Sequence, residues 1–392
     1  MILGAGKGEV RMATRRDWMR QVAGATAFAA IHRWASGEGL AGGSVDNGGV
    51  TGAGSLKAHA AAQGLLTGCA VNAKLFREDE GFRKLLGEQY NIVVPENCLK
   101  WNILRPTAET YNFTDADSLV GFAEAHEMKV RGHNFVWHEA LPGWFAGTVN
   151  KDNAQKFLVD HIRTVGGRYK GKIHSWDVVN EAIWIEDGRP DGLRSSSPWF
   201  ELLGPGYIDL AFRTARETDP KALLTYNEYG IEYDSEEEGK KREATLALLR
   251  RMKAESVPLD ALGIQSHLNG ASKNTFTKGL RELRDGAKAL GLQVFVTELD
   301  VKDDGIVTED MKERDRLVGQ VYGNYLSAAL EGPEVRAVLT WGATDKNTWL
   351  NGAKFRKEHP DRLQRPLPFD ADYQPTAAFF AMRESFDNAK KR

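Results

Sequence analysis

Cysteine is nearly absent from this sequence, with Cys69 and Cys98 the only two in 392 residues. They fit neither a disulfide framework nor a metal-ligand spacing, so both read as small buried hydrophobes, with a bridge between neighbouring strands as the alternative. An excess of one charge is missing as well. Lysine and arginine total 52 against 54 acidic residues, a formal net charge of -2. That balance argues against a nucleic-acid or anionic-membrane partner, which would favour a concentrated basic patch. No apolar run reaches the roughly 18 residues a membrane-spanning helix needs. Several chemical signatures are also lacking. The chain has no G-x-S-x-G elbow and no HExxH, and His133 and His138, five apart at a strand end, do not match helix-borne zinc ligands. "GAGKGE" near the start lacks the flanking strand and the Lys-Ser/Thr ending of a phosphate loop. Neither a metal nor a cofactor is implied.

What the chain does have is tryptophan, ten in all. Most would ordinarily be core or rim residues, but a flat indole face is also a surface on which a sugar ring stacks.

The first 55 residues differ from the rest. In "ATRRDWMRQVAGATAFAA", Arg15 and Arg16 precede a mildly apolar, Ala-rich stretch, and Ala27-Phe28-Ala29 offers an A-x-A-like cleavage site. The pattern resembles a Tat export signal over residues 1–35, with Met12 an alternative start and a periplasmic or extracellular destination. "SGEGLAGGSVDNGGVTGAGS" (36–55) is Gly-rich, has little to bury and reads as a linker. Residues 56–392 read as one catalytic domain.

From Leu56 onward a single unit recurs. Short runs rich in Val, Ile and Leu alternate with longer amphipathic segments such as "DNAQKFLVDHIRTV" and "EATLALLRRMKAE". The runs are residues 65–72, 91–97, 128–137, 172–181, 222–228, 262–267, 293–300 and 336–345. Strands alternating with helices imply parallel pairing through right-handed crossovers, and eight such units predict an α/β fold, the (β/α)8 TIM barrel. A doubly wound open sheet is the other candidate, but its Gly-rich first turn is missing.

Nearly every apolar run finishes on side chains able to do chemistry or bind sugar. They are Asn72, Glu96 with Asn97, His133, Asn180 with Glu181, Asn227 with Glu228, Gln265 with His267, Glu298 with Asp300, and Trp341. Each alone is as readily a strand-end cap. In a parallel barrel all strands end at one face, so the set converges on one mouth, where such barrels carry their active sites.

Carboxylates, amides, histidine and tryptophan without a metal or an activated serine suit glycoside hydrolysis by two carboxyl groups. Glu181 and Glu298, closing strands four and seven, are the best pair, with Glu96 and Glu228 as competitors. His267 is placed to bridge Glu298 and Asp300, which would hold Glu298 ionised as a nucleophile. Glu181 emerges among apolar neighbours, and a charged Glu298 nearby should raise its pKa, as a general acid requires.

"PENCLKW", "RGHNFVWH", "SWDVVNEAI", "GIQSHL", "VFVTELDV" and "TWGATDKNTWL", in that order, resemble the glycoside hydrolase family 10 endo-1,4-β-xylanases from about Leu56 to the C-terminus. The resemblance implies a metal-free retaining hydrolase of internal β-1,4 linkages in xylan, acting as a monomer on xylan and xylo-oligosaccharides. It implies Glu181 as acid/base, Glu298 as nucleophile, Asn180 on the sugar 2-OH, and His267 and Asp300 supporting the nucleophile. It further implies sugar contacts from Glu96, Asn97 and Lys100 on the non-reducing side. His133, Trp137 and Gln265 would line the cleavage subsite, with Trp341 as its floor and Trp349 as an overhanging wall.

There are departures from the pattern. The fifth strand ends "YNEYG", with Glu228 where the family usually has Asp and Gly230 where it has a second Asn. Tyr229 is still expected to stack on the leaving-group sugar, but those two changes bear on that subsite. Asn134, Phe135, Glu139 and Cys98 also differ from the commoner residues, and none removes a catalytic group. A cellulase or mixed-linkage glucanase is the nearest rival among enzymes. A catalytically dead, xylan-binding barrel is the rival outside them, and the presence of both glutamates with Asn180 and His267 speaks against it.

Overall fold

The computed structural model describes residues 49–392. The export-signal reading (1–35) and most of the Gly-rich stretch (36–48) lie outside the described residues. Within the remainder of that stretch, Gly52–Gly54 forms a 3-10 turn, and the Ser55 side chain accepts from Ala58 N to cap the helix Leu56–Ala62. Gln89 Nε2 also donates to Val50 O at 2.7 Å.

Eight strands close a barrel: β1 (Leu66–Val71), β2 (Ile92–Pro95), β3 (Lys129–Val136), β4 (Ser175–Asn180), β5 (Leu223–Glu228), β6 (Ala261–Ile264), β7 (Gln293–Lys302) and β8 (Val335–Thr340). Each pairs in parallel with the next, and β8 returns to β1. The fold is the (β/α)8 barrel. Its strands read as continuous apolar runs because both faces are covered, one by the barrel interior and one by the helices. Alternation separates the two sides. Ile92, Val94, Phe295, Leu339 and Trp341 belong to the cluster that fills the barrel, whereas Val93, Val294, Val296 and Val338 pack outward.

The amphipathic stretches form the outer helices, among them Ala154–Arg168, Glu236–Ala254 and Met311–Ala329. The second begins well ahead of its apolar pattern. Ser235 caps it by accepting from Glu238 N, and Glu236, Glu237 and Glu238 occupy its first turn, where acidic groups complement the helix dipole.

The run 262–267 is not one strand. β6 stops at Ile264, and His267–Asn269 forms a separate three-residue strand paired with Asp300–Lys302 of β7. Ser266, at φ 68°, makes the break. Its backbone N–H donates to Glu232 Oε1 at 2.7 Å and its hydroxyl meets the Tyr325 hydroxyl at 2.5 Å, so the turn is anchored on both sides.

Cys69 and Cys98 are both buried and free. The barrel interior also holds polar groups. Arg131 and Asp177, neither of them exposed, form an ion pair, and the other Asp177 oxygen lies 2.8 Å from His133 Nδ1. Gly132, between Arg131 and His133, is required by its neighbour. A Cβ there would fall 2.1 Å from Cε3 of the Trp176 ring, which is itself stacked on Phe135 at 4.1 Å between centroids. Gly132→Ala should therefore destabilise the barrel by about 3 kcal/mol, the upper range for overpacking. The measurement is the urea or thermal midpoint, and an unchanged midpoint would show that the ring is free to retreat.

Candidate active site

Glu181 sits immediately after β4 with φ 59°, a left-handed conformation that non-glycine residues adopt at a cost of order 1–3 kcal/mol. The surroundings over-determine it. Its N–H donates to Asn227 O at 2.9 Å, and its carbonyl accepts from Arg194 Nε at 3.1 Å. Its side chain is fixed as well: Oε1 accepts from Asn180 Nδ2 at 3.0 Å and from Gln265 Nε2 at 2.9 Å. Burial raises the pKa of this carboxyl to about 7, against the Gln265 hydrogen bond, and the charges on Glu228 and Glu298 push the same way.

Glu298, on β7, is buried more completely but has the opposite balance. Oε1 accepts from Asn227 Nδ2 at 2.7 Å, and Oε2 lies 3.3 Å from His267 Nε2. The other ring nitrogen of His267 is 2.9 Å from Asp300 Oδ1. Burial alone would raise the Glu298 pKa, but the His267 hydrogen bond, with the electrostatic influence of His133, His267 and Arg131, lowers it to about 2. Burial would likewise discharge His267, and its two carboxylate partners instead hold it protonated well above the ordinary imidazole range. Below about pH 7, then, one glutamate keeps its proton while the other has lost its own.

The remaining sequence-predicted residues surround this pair. Glu96 accepts from Asn72 Nδ2 and Asn97 Nδ2, both at 3.0 Å, and Lys100 Nζ donates to Asn97 Oδ1 at 3.0 Å. The Lys100 ammonium lies 5.1 Å from the Trp137 ring centroid and 5.5 Å from that of Trp341, and burial lowers its pKa. Trp341 is only 8% exposed and caps the barrel's inner cluster. His133 meets it edge-on at 5.0 Å. Trp349 is 52% exposed, and its indole N–H donates to Asp300 Oδ2 at 2.7 Å. Tyr229 is half-buried, with Arg194 donating to its hydroxyl at 3.3 Å.

One placement differs from the sequence reading. Glu228 is not at the mouth. It points outward from β5 on the same face as Tyr226, fully buried, with Lys241 Nζ at 2.9 Å. The reason is strand alternation: once Asn227 faces the cavity, its neighbour cannot. Glu96, the other competitor, is a partner of Asn72 and Asn97 and has no contact with the central pair.

Asn227 has a larger role than its place in the sequence suggests. Its Nδ2 donates to Asn180 Oδ1 at 2.8 Å as well as to Glu298, and its Oδ1 accepts from Thr297 Oγ1 at 2.8 Å. One amide thus joins the two halves of the site. The signal is present in the sequence, since Asn227 falls at the end of β5 as Asn180 does at the end of β4.

Residues 55–385 match the model of glycosyl hydrolase family 10. An endo-1,4-β-xylanase B of Thermotoga neapolitana is 34% identical over 317 residues, 80% of this chain and 85% of that protein. A β-1,4-xylanase of Dictyoglomus thermophilum is 36% identical over 76% of this chain and 83% of its own length. The crystal structure of native xylanase 10B from Thermotoga maritima superposes with a TM-score of 0.75 at 33% identity, covering 85% of this chain and 98% of that one. A barrel of this topology, matched along nearly its whole length, places the protein: this chain belongs to glycosyl hydrolase family 10.

Proposed function

We propose that this protein hydrolyses internal β-1,4-xylosidic linkages in xylan with retention of configuration, through a covalent glycosyl-enzyme intermediate. The observation that carries the reading is the opposite protonation of two glutamates within one hydrogen-bonded cluster. Glu298, ionised and held by Asn227 and His267, attacks the anomeric carbon. Glu181 gives its proton to the departing glycosidic oxygen, and then takes a proton from the water that releases the sugar. Asn180, already donating to Glu181, is close enough to share its amide with a sugar hydroxyl beside Glu298. Lys100, Glu96 and Asn97 form the polar wall on the non-reducing side, Trp341 and Trp349 the floor and rim, and Tyr229 the stacking face for the leaving group.

The relatives support the substrate. A family structure from Thermotoga petrophila holds xylobiose, and a mutant of the intracellular xylanase from Thermoanaerobacterium saccharolyticum holds xylotetraose. One relative, from Acetivibrio thermocellus, is named an exoglucanase, which keeps β-1,4-glucan as the competing substrate. A monomer suffices, because every group in the mechanism comes from one chain, and the twin-arginine segment supports export.

The deciding experiment compares reducing-sugar release from xylan and from carboxymethyl-cellulose. Xylan should be strongly preferred, and equal or reversed rates would transfer the reading to glucan. Glu298→Ala should abolish turnover while xylo-oligosaccharides still bind. Glu181→Ala should lose most activity on xylan but regain it with azide on an aryl xyloside bearing a good leaving group; absence of rescue would remove Glu181 as acid/base.

The pH dependence follows from the two environments. Glu181 must be protonated, so activity is present below its pKa and should fall as pH rises through about 7. Glu298 must be ionised, so activity is lost only as pH falls toward about 2. A kcat/KM profile centred well above pH 7 would contradict the assignment.

A further inference from the structure

One fully buried carboxylate near the site is not used by the mechanism. Glu228 has no exposed surface, and all its partners lie around the acid. Oε2 accepts from Ile183 N at 3.1 Å and from the Tyr226 hydroxyl at 2.5 Å, while that hydroxyl accepts from Ala182 N at 3.2 Å. The two peptide N–H groups that follow Glu181 are thereby both held, directly or through one phenol. Oε1 accepts from Tyr229 N at 3.1 Å and pairs with Lys241 Nζ at 2.9 Å. The ammonium in turn lies 3.3 Å from the Tyr229 ring centroid, beneath the face expected to receive the leaving-group sugar.

We propose that Glu228, locked to Lys241, is a positioning residue for the acid: it fixes the peptide behind Glu181 and sets the negative charge beside which Glu181 has to ionise. The left-handed backbone of Glu181 needs such an anchor, because β4 ends one residue before it. The extra methylene of glutamate over aspartate, read from sequence as a change to the sugar subsite, instead gives the carboxylate its reach to Ile183. Burial is the main cause of the raised Glu181 pKa, and the charge on Glu228 adds more to it than the charge on Glu298.

Other charged and titratable groups face the pair. Around Glu181 these are Glu298 from β7, Lys100 from the loop after β2, and Arg194 from the loop after β4. Around Glu228 they are Tyr226, Lys241 and, from the helix Tyr207–Thr218, Tyr207. His138 feels Arg194 and Lys241, and burial keeps it neutral, with a pKa of about 4. None of these can supply the charge in place of Glu228, because the other carboxylate facing Glu181, that of Glu298, is committed to His267.

The inference rests on the proposed hydrolysis for its meaning, and its test reads Glu181 in two ways. In kcat/KM profiles on xylan, Glu228→Gln should move the alkaline limb down by about half a pH unit or more, since a negative neighbour is lost. Glu228→Asp, which keeps the charge, should return the limb to the wild-type position even if kcat falls. The same displacement should appear in the resting protein as the Glu181 carboxyl-carbon titration by NMR, which needs no substrate. If wild-type protein releases nothing from xylan but the NMR shift is found, the hydrolysis reading fails and the charge role stands. Coincident titrations in wild-type and Glu228→Gln protein overturn the proposal, as does an aspartate variant displaced as far as the glutamine one. Should Glu228→Gln not fold, Lys241→Met gives the opposite sign. The Ile183, Tyr226 and Tyr229 donors still stabilise the Glu228 carboxylate, so the limb should rise, and an unmoved or lowered limb refutes the proposal.

Discussion

Two glutamates share one barrel mouth and both are largely withdrawn from water, a condition that disfavours charge on either. What separates them is His267. Gripped by Asp300 on one side and Glu298 on the other, it stays cationic in a place where burial would discharge it. That cation keeps Glu298 ionised, whereas burial, with the charge of Glu228 on the neighbouring strand and then that of Glu298, raises the Glu181 pKa to about 7. The ionised state of Glu298 depends on this one ion-paired imidazole, and on the break in the sixth strand that delivers it. Ser266 turns the chain so that His267 leaves β6 and pairs alongside β7, directly opposite Asp300.

A second layer keeps the geometry from relaxing. Asn227 spans the cavity between Asn180 and Glu298, so the Glu181 side and the Glu298 side of the site are held together. Beneath it, the buried Arg131–Asp177–His133 chain orients the imidazole that faces Trp341. Above it, Trp349 reaches back from the rim to Asp300. Each interaction is an ordinary hydrogen bond or ion pair, but in a desolvated site each constrains its neighbours, because an unmet partner is costly there.

Much of this was legible in the sequence. The eight apolar runs, their spacing and the polar residue closing each one are consequences of a parallel barrel whose strands are covered on both faces, and period-two alternation with turn residues suffices to find them. Strand-end positions offered Glu181 and Glu298 with Glu96 and Glu228 as competitors, and the neighbouring residues and the family resemblance singled out the first two; His267 was placed to bridge by its position on the preceding strand. Three features did not. The start of the helix at Glu236 depended on a cap and three acidic residues rather than on apolar period. The interruption at Ser266 depended on Glu232 and Tyr325, distant in sequence and meeting only in the fold. The importance of Asn227 depended on contacts across the barrel.

The sequence by itself determined which chemical groups arrive at the barrel mouth, because strand period and chain order decide which residues end each strand and on which side. It did not determine what each group does on arrival. Glu228 and Asn227 are adjacent in the chain, yet one strand step sends the amide into the cavity and the carboxylate outward to Lys241. Protonation depends on desolvation and on charges within a few ångströms, and those distances are set by elements folded together from across the chain. The opposite protonation of Glu181 and Glu298 could be anticipated from their neighbours in the chain; only the tertiary structure decided that Glu228 stands behind the first.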